Sequence, residues 1–280
     1  MAHLLALTAF NYPRRYRVRT TTAVQVGTMQ FENEWLYVVE HTALGQNEHG
    51  YVLQLDVVHA VQKATDLFSR VTADLHQASR RLVLQTDWRG QLLRVENQPE
   101  VRQAWEALRK DLYAKYAAEP TVRPYLDAFG QQLAVPGSME PNLRHKGVYG
   151  ALLPGVYGHY AQEPVRTQQC ITGFFHDLDL PLLVATTAQP AANGLRETVH
   201  VTATATLNAD AFATPAFRRL VRDLADDHRF PVDLAVTHGA DHWLDAQTGE
   251  LLRSQQQLAA TVPGIYHTAF THEVLPQPTP

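Results

Sequence analysis

Fourteen histidines among 280 residues are where acid–base or metal chemistry would begin. Imidazole titrates near neutral pH and is the commonest side-chain metal ligand. The tightest group is His238-Gly-Ala-Asp241-His242, with His176-Asp177-Leu178-Asp179 as a second. On a helix His238 and His242 would share a face, and with Asp241 they form the candidate metal set of a metal-assisted hydrolase. Gly239 and its flanks argue instead for strand and turn, where these side chains diverge. No third ligand stands at a telling spacing. His41, His59, His200, His267 and His272 fall in predicted strands and are expected to line sheet faces. A nucleophile is no easier to find: the serines Ser69, Ser79, Ser138 and Ser254 sit in no nucleophile turn. Cys170, in QQCITGFF, has a strand-like apolar context that predicts a buried, inert thiol. The phosphate-loop, dinucleotide, H-E-x-x-H and G-x-S-x-G patterns are all missing. No cofactor is expected.

Binding chemistry has better material. The stretch Val135–Pro164 carries five glycines, the tyrosines Tyr149, Tyr157 and Tyr160, and Arg144-His145-Lys146 in a row. Tyrosine offers an apolar body with a polar tip, and the basic triplet can meet an acidic group. Arg144, His145, Lys146, Tyr149 and Tyr157 are therefore the candidate ligand-binding residues, for a protein partner or a small apolar ligand. The alternative is a linker whose tyrosines pack down on the sheets. Arg15, Arg17 and Arg19 alternate onto one face of a strand, either as the solvated face of an outer strand or as an anion site. Phe174, Phe175, Tyr266 and Phe270 read as core or as pocket lining.

Two hairpins organise the elements that must position these residues. Arg80–Glu96 turns between Asp87 and Gly90, and near the other end Asp245 and Gly249 bracket a second turn before another Leu-Leu-Arg. Strands are predicted at Arg15–Thr20, Met29–Thr42 and Tyr51–Val58. The spacing of Val61, Ala64, Leu67, Phe68, Val71, Leu75 and Ala78 predicts a helix over 61–78, leaving Lys63, Asp66, Arg70 and Asp74 outside. Asn97 is the expected cap of a second helix, with Pro99 in its first turn and a stripe of Val101, Trp105, Leu108, Leu112 and Tyr116. A shorter helix, interrupted by Pro124, covers Tyr125–Leu133. Further strands are predicted at Val165–Thr172, Leu182–Thr187, Leu195–Leu207, Phe230–Thr237, Trp243–Asp245, Gly249–Val262 and Tyr266–Leu275. Before the last four of these, Thr214 caps a helix with Phe217, Leu220, Val221 and Leu224 inward. The tail Pro276–Pro280 is expected to fray.

Strands running into hairpins rather than βαβ units give an α+β class, with curved antiparallel sheets packed on amphipathic helices and two similar halves. The expected division is 1–134, a connector at 135–164, and 165–280. The segment Asp245-Ala-Gln-Thr-Gly-Glu-Leu-Leu, a long strand, and Gly264-Ile-Tyr-His-Thr-Ala-Phe-Thr resemble the last hairpin of bacterial lipoprotein-carrier-like half-barrels. The resemblance implies a curved sheet that wraps a helix and takes up an acyl chain, and it carries over no binding residue. A net charge of −4 with scattered basic residues gives no electrostatic basis for nucleic-acid binding. No apolar run spans a bilayer. No basic residue precedes the apolar Leu4–Phe10 run, so a cytoplasmic location is expected, or a periplasmic one if a signal has been removed. The expected function is a non-enzymatic binding or assembly module holding an apolar or lipid-like ligand on a concave sheet; the alternative is the His238/Asp241/His242 hydrolase.

Overall fold

The computed structural model describes residues 3–8, 10–193 and 196–278. Ala9 in the Leu4–Phe10 run, Leu195 at the start of a predicted strand, and the last two residues of the tail lie outside them. Along the chain, His3–Leu5 is β1, Phe10–Val26 β2, Met29–Asn47 β3 and Gly50–Gln62 β4. Leu67–Leu75 is α1, Arg81–Thr86 β5, Leu92–Val95 β6, Gln98–Lys115 α2 and Arg123–Ala134 α3. Glu140–Leu143 forms α4, Gly147–Leu152 α5 and Gly158–Tyr160 β7. Val165–Phe175 is β8, Leu178–Asn193 β9, Arg196–Leu207 β10 and Thr214–Ala225 α6. Ala235–Asp245, Leu251–Val262 and Tyr266–Pro276 complete the order as β11, β12 and β13. The registered strand pairs are antiparallel, so the α+β, antiparallel reading is correct.

The chain divides into two units, each drawn from separated segments. The first holds Met1–Leu7, Val18–Glu34 and Val156–Pro276. Its strands follow the order β3-β2-β13-β12-β11-β10-β9-β8, and β1 pairs separately with β7. Alternation along β10 to β13 sends Val201, Ala203, Ala260 and Val262 inward, where they meet Phe217 and Val221 of α6 and the rings of Phe174, Phe175 and Phe212. Leu224, expected inward, is 41% exposed, because the buried stripe of α6 is only Phe217 and Val221 wide.

The second unit holds Thr8–Arg17, Trp35–Gly155 and Gln277–Pro280, with strand order β6-β5-β4-β3-β2 and the helices α1 to α5. Both turn readings are met. Asp87 Oδ1 accepts from the N–H groups of Arg89 and Gln91, while Gly90 takes φ +83°. Asp245 Oδ1 likewise accepts from Gln247 and Thr248, with Gly249 at φ +67°.

Four expectations are corrected. Residues 61–66 are not helical: β4 runs on to Gln62, and Val61 pairs with Leu36. The helix starts only after Asp66, whose carboxylate accepts from Ser69 N–H at 3.0 Å and Ser69 Oγ–H at 2.6 Å. Asp74, expected outside, is buried, and its Oδ2 accepts from Lys115 Nζ and Tyr116 O–H, each at 2.6 Å. Asn97 is the N-cap residue of α2, as expected, but its side chain makes no capping hydrogen bond; its amide bridges the Val83 N–H and the Arg81 carbonyl, stitching the hairpin instead. Finally, Pro124 opens α3 rather than interrupting it.

Candidate functional site

β11 decides what the histidine group can do. Successive residues of a strand point to opposite faces, so His238 and His242 share one face and Asp241 lies on the other. At about 3.3 Å per residue the two histidines are roughly 13 Å apart along the strand, beyond any shared metal. His242 is 2% exposed; its Nδ1 is 2.9 Å from Ser254 Oγ, and burial pushes its pKa down to about 3. Asp241 instead meets His200 Nε2 at 2.8 Å. His200 stacks on Trp243 at 4.6 Å, and Arg253 covers that indole at 5.0 Å. The proposed ligand set is thus not brought together, and among the described residues no group of three His, Cys, Asp or Glu is placed to hold a metal.

The second histidine group is a turn. His176 takes φ +59° between β8 and β9 and pairs with Asp177 in solvent. Asp179 accepts from Gly173 N–H and lies 3.7 Å from Cys170 Sγ. Cys170, expected buried, is exposed, because the alternation of β8 turns it outward while the next residue, Ile171, enters the core. Partial burial and Asp179 push its thiol pKa up, away from the reactive thiolate. The arginine face of β2 is also occupied: Arg15 pairs with Glu40, and Arg19 with Glu34 at 2.8 Å.

The Val135–Pro164 stretch is ordered structure. Tyr149, Tyr157 and Tyr160 are buried, and their hydroxyls donate to the carbonyls of Ser79, Gly249 and Val156. Arg144 follows α4 and sends Nε to the Leu92 carbonyl at 3.1 Å. His145 precedes α5, which packs so closely on it that a Cβ at Gly150 would stand 2.6 Å from the His145 carbonyl carbon. Lys146 is the extended residue that opens α5. Of the five candidates, Lys146 and Tyr149 share a cavity in the second unit; Tyr157 belongs to the first unit.

That cavity measures about 300 Å³. Leu75 and His76 come from the end of α1, Phe129 and Leu133 from α3, Met139 and Leu143 from the two ends of α4, and Val148 from α5. Much of its polar lining is already satisfied within the chain: Thr72 donates to the Phe68 carbonyl, Gln132 to Ser138, and Tyr149 to Ser79. His76 stands edge-on to Trp35 at 5.4 Å and Tyr37 at 6.2 Å, and burial holds its pKa below the ordinary value. Burial also drives the Tyr149 phenol upward, so it stays protonated. The lining is therefore mostly apolar with a lysine in its wall, an arrangement that binds and orients rather than transfers protons. His76, Leu133 and Met139 were missed. Only the α1 and α3 periodicities pointed toward them, and the packing that gathers three helices is not local in sequence.

No protein-family model matches the chain, and a search of curated proteins finds no match. Among the described residues no helix is long and apolar enough to cross a membrane.

Proposed function

We propose that this protein is a non-enzymatic binding module that holds a small apolar molecule with an acidic group, such as a medium-chain carboxylate. The observation that carries this reading is the cavity of about 300 Å³ walled by Leu75, Leu133, Met139, Leu143 and Val148, with Lys146 in its wall. Its volume sits at the lower end of small-molecule pockets, and each methylene buried there contributes about 0.8 kcal/mol. The ammonium selects the charge of the head group. The acyl-chain ligands of lipoprotein-carrier-like half-barrels, which the last hairpin resembles, favour the same ligand class. The place differs from the sequence expectation: the apolar lining comes from helices, whereas the cavity over β11, β12 and β13 is lined by Arg19, Asp241, Gln255, Gln257 and Glu273.

Titration calorimetry of the full chain with decanoate and with 1-decanol tests the reading. Decanoate is expected to bind more tightly than the alcohol. Lys146→Ala removes that preference, and Met139→Trp blocks both. Absent decanoate binding, or binding indifferent to both substitutions, overturns it.

A further inference from the structure

A second cavity of the same unit, about 570 Å³, is lined by the end of β6, the first turns of α2, the end of α3 and Glu140 of α4. Glu140 is 4% exposed. Its Oε1 accepts the Val95 N–H at 2.8 Å, satisfying the end of an edge strand. Its Oε2 is buried and has no hydrogen-bond partner among the described residues. A buried acceptor left unpaired is costly, and a charged one more so. Glutamine would serve Val95 equally well through its own carbonyl and carry no charge. The second oxygen is therefore the feature that needs a partner. Arg94, beside it, is engaged with Glu96 through Nε at 3.0 Å and Nη2 at 2.6 Å. Arg102, exposed on α2, lines the same cavity and presents a planar fork suited to a carboxylate. Val95, Leu133 and Pro136 supply apolar walls.

We infer that this cavity binds a small zwitterion with an apolar side chain, of the free amino-acid class. The ammonium meets Glu140 Oε2, the carboxylate lies toward Arg102, and the side chain rests on Val95, Leu133 and Pro136. The site goes beyond the carboxylate-binding cavity and does not depend on it. L-leucine is the probe, with isopentylamine lacking the carboxylate and 4-methylpentanoate lacking the ammonium. In calorimetric competition on the full chain, leucine binds best, isopentylamine displaces it more weakly, and 4-methylpentanoate does not displace it. Glu140→Gln keeps the Val95 acceptor and removes the charge. It lowers leucine affinity by about tenfold or more while the melting temperature holds or rises. Arg102→Ala weakens leucine and leaves isopentylamine unchanged. Three results overturn the inference: leucine that fails to bind at millimolar concentration, displacement of leucine by 4-methylpentanoate, or a melting temperature several degrees lower in Glu140→Gln. The last would mean that Oε2 already serves a donor within the chain.

Discussion

His242 shows how an imidazole rich in neighbours is governed by burial. It faces Ser254 in the interior of the first unit, and desolvation outweighs the opposing pull of Asp241, leaving a pKa of about 3. His272 in the same unit and His41 in the second are pushed down to about 4 by the same cause, Arg14 adding its repulsion to His41. The sign follows directly. Between the ordinary histidine pKa and these lowered ones the unfolded chain binds protons that the folded chain refuses. Stability is therefore full above about pH 6.5 and drains as pH falls toward 4, by about 1.4 kcal/mol per pH unit for each group. Urea midpoints measured from pH 7 to pH 4.5 are expected to fall, with a shallower slope in His242→Asn. A flat profile would contradict the burial argument. Asp74 is the second residue-scale case. Its carboxylate takes Lys115 and Tyr116 together, tying α1 to α2. Asp74→Ala leaves the buried Tyr116 hydroxyl without that acceptor, and a loss of about 2–4 kcal/mol is expected in chemical unfolding. A loss within half a kilocalorie would show the contact to be ornamental.

Among the elements, the hairpin turns were the most legible in sequence. An Asp side chain that accepts successive backbone N–H groups, and a Gly that takes positive φ, are local chemistry. Gly249 carries a further constraint: a Cβ there would run into the Ala6 carbonyl oxygen, whereas at Gly264, φ +80°, it would meet nothing. Gly249→Ala is expected to cost about 2–4 kcal/mol and Gly264→Ala about 1, ranked by thermal unfolding of the two variants. Equal losses would show that φ alone matters. What sequence hid was non-local. Val61 and Ala64 matched a helical spacing by coincidence while β4 ran on through Gln62. Asn97 stood where a cap belongs but was recruited by the hairpin. Lys146 and Tyr149, singled out as a basic residue and a tyrosine among glycines, line one cavity. Glu140 was not singled out, since nothing local distinguishes a glutamate that will be buried from one that will be solvated.

At the scale of the whole molecule, strand alternation announced an antiparallel α+β protein, but alternation does not say which strands become neighbours. The first unit takes Val18–Glu34 from the start of the chain and Val156–Pro276 from its end. Within it β13 lies next to β2, and Thr21 and Thr271 join their hydroxyls across 250 residues of sequence. A fragment spanning 156–276 therefore lacks strands of its own unit and leaves β13 with an open edge. It is expected to lose the sharp thermal transition of the full chain by circular dichroism, and adding a peptide of residues 18–34 is expected to restore part of it. A fragment that melts cooperatively by itself would show the early segment to be dispensable.

The same pairing sets a timetable for synthesis. His3 aligns with Tyr160 and β2 lies beside β13, so both early strands wait for partners far along the sequence. Contacts of such sequence separation slow folding, because the loop between them must close before the contact stabilises anything. Until Tyr266–Pro276 is in place, the side of β2 that β13 covers in the first unit stays an open edge, able to pair with another chain.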